Sequence, residues 1–62
     1  MHTLYENLVI VIDAMNSDLE DGTMTQEQYD AKKKSTIKKM KVFVKVKKLT
    51  QDQYNELNAK FK

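Results

Sequence analysis

Three observations predict a small all-α domain of three helices. Apolar residues recur at spacings of three and four across residues 4–19. A Thr-x-x-Gln helix-start pattern occurs twice, at Thr25 and Thr50. The 62-residue chain has a single glycine and no proline to interrupt the segments between. The expected helices run over residues 3–20, 26–47 and 51–61, with the first two as an antiparallel hairpin. The whole of residues 1–62 forms one domain. A chain of this size buries only about 60% of the surface its unfolded form exposes, so its core is marginal and self-association is expected.

In the first segment Leu4, Leu8, Val11, Met15 and Leu19 (or Asp18) form the stripe of a helix, widened by Tyr5, Val9 and Ile12. Ile10 is left on the polar side with Glu6, Asp13 and Ser17. The run Leu8 to Ile12 suits a strand by propensity, but the apolar spacing continues well beyond it on both sides. Gly22 follows where a helix end needs a left-handed residue.

The second helix opens at Thr25-Gln26-Glu27-Gln28, a capping box. Its Thr hydroxyl accepts from the third helical N–H while the Gln reaches back to the Thr N–H. Glu27 adds negative charge at the positive helix start. Tyr29, Thr36, Ile37, Met40, Phe43 and Val44 are the expected buried row, with Lys33 and Lys47 lying along it by their alkyl stems. Met40, Val42, Val44 and Val46 alternate with Lys41, Phe43 and Lys45, which is also a strand pattern, so an α+β alternative with a strand at 42–46 stands beside the helical one. Thr50-Gln51-Asp52-Gln53 is a second capping box and starts a third helix with the stripe Tyr54, Leu57 and Phe61. Each box is preceded by an apolar residue, Met24 or Leu49, able to staple onto the helix it precedes. Two copies are too few for a solenoid, so the repeat marks helix starts.

Charge is segregated. Residues 1–30 carry seven acids and no lysine, and residues 31–49 carry nine lysines and no acid, although the net charge is only +2. The lysine block can neutralise phosphates, and Lys38, Lys41 and Lys45 are its candidate polyanion contacts. Arginine, the residue that reads guanine edges and grips phosphates bidentately, is absent, so any nucleic-acid binding is nonspecific and is not the favoured reading. Charge on a solvated face, offset by the acidic first helix across the hairpin or across a dimer, accounts for the same lysines. Ile10, Val42 and Val46, which lie off the main stripes, are the candidate interface residues of that dimer.

No catalytic, cofactor-binding or metal-ligating set is legible. There is no cysteine, and the single histidine, His2, sits at the frayed chain start. No Ser/His/Asp or Gly-rich phosphate pattern occurs, so the expectation is a protein that is not an enzyme and takes no cofactor. Asp18, Glu20 and Asp21 before Gly22 suggest a calcium loop, but the twelfth position from Asp18, where such a loop needs a glutamate, is Tyr29. Tyr29, Tyr54, Phe43 and Phe61 fit core positions better than a base-stacking platform, and the four methionines fit adaptable packing. No run nears the roughly 18 apolar residues of a membrane span, and none suits a signal-peptide core, so a soluble, cytoplasmic protein is expected.

The stretch from Met40 to Leu57, in which a Lys-Val-Phe-Val-Lys run precedes Leu49-Thr50-Gln51-Asp52-Gln53-Tyr54, resembles the small XkdX-type proteins encoded near the tail genes of phages and prophages of Gram-positive bacteria. Those proteins pair a Lys-Phe-Val-Lys run with an Ile/Leu-Thr-x-x-Gln-Tyr helix start. Residues 19–33, with Gly22-Thr23-Met24-Thr25-Gln26-Glu27-Gln28-Tyr29, are similar to the short helical SHOCT-type domain. The two resemblances cover a little over half of the chain. They imply a small helical packing or assembly module of phage or prophage origin. Its partner would be a second copy or a phage or host protein, and its place the bacterial host cell or the virion. Neither supplies catalytic residues.

Overall fold

The computed structural model describes residues 3–62; His2, expected at a frayed chain start, lies outside the described residues together with Met1. Three helices account for the described chain: α1 over Leu4–Asp21, α2 over Gln26–Lys45 and α3 over Gln51–Lys60. Among the described residues there is no strand, and residues 42–45 continue α2, so the strand alternative at 42–46 is not realised.

Each helix begins the same way. Thr25 and Thr50 sit in extended backbone, and their hydroxyls accept from Gln28 N and Gln53 N at 3.1 Å. The Gln side chains accept in return from Thr25 N and Thr50 N at 3.0 and 3.1 Å. A third box opens α1, where Thr3 Oγ1 accepts from Glu6 N at 3.1 Å and Glu6 Oε1 accepts from Thr3 N at 3.0 Å. Thr3-x-x-Glu6 obeys the same rule as the other two, but with Glu in place of Gln it does not stand out as a repeat. Met24 packs against the core and Leu49 is buried in it, as the staple positions require.

The helix ends differ in chemistry. Gly22 adopts φ 79°, and its N–H donates to Leu19 O. A Cβ there would meet nothing within 4 Å, so backbone conformation, not space, is what calls for glycine. Sequence reading carried α2 to residue 47, but the helix stops at Lys45 because Lys47 takes φ 62°. Lys47 N then donates to Val44 O at 3.0 Å and Lys48 N to Phe43 O at 2.8 Å, the paired bonds of a Schellman motif. This turn swings Leu49 inward and leaves Lys47 exposed, not lying along the core row as expected. Lys33 does lie inward, half-buried, with its Nζ 5.5 Å from the centre of the Phe61 ring.

The core comprises Leu8, Ile12, Met15, Tyr29, Met40, Leu49, Leu57 and Phe61. In α1 the centre of the buried stripe is Ile12, fully buried, while Val11 is 39% exposed, the reverse of the expected order. The cause is α3, which packs more extensively on α1 than α2 does and meets it through Tyr5 and Asn16, residues on the same helix face as Ile12. Ile37, Phe43, Val44 and Tyr54 are half-buried at the edge of the core. With Tyr29 and Phe61 buried, no exposed aromatic platform for bases exists among these four residues.

Directions follow from three long-range contacts. Tyr5 at the start of α1 meets Glu56, and Asn16 near its end meets Lys60, so α1 and α3 run the same way. Tyr29 at the start of α2 meets Lys62 just beyond the end of α3, so α2 runs opposite to both. The expected antiparallel hairpin is present, with α3 laid against both of its arms.

Candidate interaction surface

At the junction of the three helices Tyr29 is fully buried. Its hydroxyl donates to Asn16 Oδ1 at 2.6 Å and accepts from Lys62 N at 2.8 Å. Asn16 Nδ2 donates in turn to Lys60 O at 2.9 Å, and the Lys62 ammonium pairs with the Glu20 carboxylate. Every polar atom of this knot has a structural partner, so its role is to fix the helix ends. Sequence reading placed Tyr29 in the core but did not find Asn16, a polar residue whose only signal was its place beside the stripe.

Two features face outward. The first is a groove of about 550 Å3 along α2 lined by Asp30, Lys33, Lys34, Ile37, Lys38 and Lys41. Lys41 also borders a second depression, lined besides by Val44, Lys45, Gln51 and Tyr54. Lys34, Lys38, Lys41 and Lys45 fall at i, i+4, i+7 and i+11, one helix face about 16 Å long at 1.5 Å per residue. The floor is apolar: Ile37 and Val44 from α2, and Tyr54 from α3. All three candidate polyanion residues, Lys38, Lys41 and Lys45, therefore stand on one surface. The floor residues read from sequence as core, because a row half-facing α3 has the same spacing as a row wholly facing it.

The second feature is exposed apolar surface. Ile10, Val42 and Val46 are 51%, 53% and 54% exposed. Val42, near the end of α2, and Val46, just beyond it, are one turn apart. Ile10 lines a separate depression with Tyr5, Glu6, Val9 and Lys60. The structure thus leaves all three exposed, and neither Val42 nor Val46 lines the depression holding Ile10.

The chain matches no family model, no curated protein and no solved structure. Among the described residues no group of three His, Asp or Glu side chains is placed to hold a metal ion, and no helix is long and apolar enough to cross a membrane. The Tyr5 hydroxyl donates to Glu56 Oε2 at 2.9 Å. That bond, then burial and the carboxylate's charge, raise its pKa above the ordinary 10.0.

Proposed function

We propose that this is a non-enzymatic helical interaction and assembly protein that associates with a second copy of itself or with a phage or host protein. The observation that carries this reading is the exposure of Ile10, Val42 and Val46, each more than half open to water on a chain that buries eight apolar side chains. Apolar surface of this kind on so small a domain is stabilised by covering it. The resemblance of residues 40–57 to XkdX-type proteins and of residues 19–33 to the SHOCT-type motif supports an assembly role of phage or prophage origin, in the bacterial cytoplasm or on the virion. The reading takes no cofactor and assigns no catalytic residue.

A second reading is favoured by the four lysines on one α2 face: nonspecific binding of nucleic acid or another polyanion through Lys38, Lys41 and Lys45. The two differ in salt dependence. Sedimentation over a range of protein concentrations, beside a titration of duplex DNA, separates them. The assembly reading expects concentration-dependent association and DNA affinity that vanishes near about 0.15 M salt. Submicromolar DNA binding that survives there, falling with a slope of about 0.9 per phosphate contacted in a log–log plot against salt, replaces it with the second reading.

A further inference from the structure

We infer that the lysine-walled groove of α2 is the seat for the outer face of α1 from a second copy of this chain. The inference rests on the assembly reading above and names its contact surfaces.

The groove sets the chemistry of its occupant. Lys34, Lys38, Lys41 and Lys45 form a cationic row, and Ile37 and Val44 form an apolar strip beside it. A phosphate backbone satisfies the lysines but leaves the apolar strip wet. A neutral amphipathic helix does the reverse. An acidic helix that carries apolar and anionic side chains on one face satisfies both.

α1 is such a helix. Its outer face, away from the buried Ile12, carries Ile10, Asp13, Ser17 and Asp21, with the two carboxylates about 12 Å apart along the axis, within the length of about 16 Å of the lysine row. All four residues are exposed. The lengths also agree. The 18 residues of α1 span about 27 Å, and the groove from Asp30 to Lys45 spans about 22 Å at the same rise.

The two surfaces do not meet within one chain. Among the described residues no ion pair links a lysine of α2 to Asp13, Asp18, Glu20 or Asp21, and α1 and α2 have the slightest packing of the three helix pairs. Asp30 is the one acid among the lysines that line the groove, and Asp13 and Asp21 on the outer face of α1 are held apart from them on one molecule. A second copy brings them together. Because each copy carries both surfaces, a two-fold arrangement makes the contact twice. Ile10 enters the contact, whereas Val42 and Val46 line no part of the groove.

The test is reciprocal charge reversal. One variant carries Lys34→Glu, Lys38→Glu and Lys41→Glu; the other carries Asp13→Lys and Asp21→Lys. All five positions are exposed, and circular dichroism checks that helicity is kept. In sedimentation at about 100 μM protein, wild type is expected to associate, and each variant alone to lose at least about tenfold in affinity. An equimolar mixture of the two variants is expected to associate again, since the reversed lysines of one copy then face the reversed aspartates of the other. Association of the variants as tight as wild type, or a mixture no tighter than its parts, overturns the inference while leaving the assembly reading standing. A wild type that stays monomeric overturns both self-association and the groove assignment. Tight binding of duplex DNA by wild type at about 0.15 M salt, lost in the lysine variant, gives the groove to nucleic acid instead.

Discussion

Replacing Tyr29 with phenylalanine deletes one oxygen from the junction of all three helices and leaves the ring in place. Two hydrogen bonds go with it: the 2.6 Å bond to Asn16 Oδ1 and the 2.8 Å bond from Lys62 N. A neutral hydrogen bond contributes about 0.5–1.5 kcal/mol net, and a buried group left unpaired costs about 1–3 kcal/mol. Lys62 is exposed and its N–H can turn to water, while half-buried Asn16 keeps its Nδ2 bond to Lys60 O but loses the partner of its oxygen. The cost therefore falls at about 1–3 kcal/mol. A 62-residue domain has a total stability of about 3–9 kcal/mol, so the variant stays folded but visibly weakened. Urea denaturation followed by circular dichroism reads the change, and a thermal midpoint lower by about 4–8 °C for each kcal/mol accompanies it. Tyr54→Phe, at a half-buried position in the groove floor, is the comparison and is expected to stay within about 0.5 kcal/mol of wild type. Equal midpoints for Tyr29→Phe and wild type would refute the claim that this knot holds the helix ends together.

Three further outcomes follow from local features. Thr3→Ala, Thr25→Ala and Thr50→Ala should each lose about 0.5–2 kcal/mol in chemical denaturation, since each removes the hydroxyl of a capping box. Gly22→Ala should destabilise by about 1–2 kcal/mol, whereas Lys47→Gly, at the same left-handed conformation, should stabilise by up to about 1 kcal/mol; shifts of the same sign in both would contradict the backbone argument. The Tyr5 bond to Glu56 stabilises the protonated phenol. Its contribution is therefore fully present below the ordinary pKa of 10.0 and is lost as pH rises through the raised value. Melting curves between about pH 9 and pH 11 should show a steeper alkaline loss for wild type than for Tyr5→Phe.

What could be read from the chain was what local chemistry decides. Thr25, Thr50 and Gly22 announce helix boundaries because a hydroxyl three residues before a Gln, or a lone glycine after a stripe, has few other uses. The end of α2 was not legible, because its left-handed residue is a lysine and nothing in the side chain of Lys47 marks it for φ 62°. That conformation is imposed from outside, by the burial of Leu49 and the capping of α3 by Thr50. The phase of α1 was ambiguous for a similar reason. Val9 to Ile12 are all apolar, so Val11 and Ile12 were equally fit to face inward, and the choice fell to the position of α3. The lysines of the candidate surface were visible as composition. The depression beside them was not, because Val44 and Tyr54 line it together only when α2 and α3 lie side by side.

The placement of α3 against both other helices bears on how the chain comes to be folded at all. Leu49, Leu57 and Phe61 are three of the eight core residues, and the contacts that close the structure join Tyr5 to Glu56 and Asn16 to Lys60, separated by 51 and 44 positions. An α1–α2 hairpin by itself has little to hold it, since those two helices touch least. The contacts that close the structure are therefore the ones α3 supplies. Unfolding in one cooperative step, with no separately protected subdomain in hydrogen exchange, is the expected outcome.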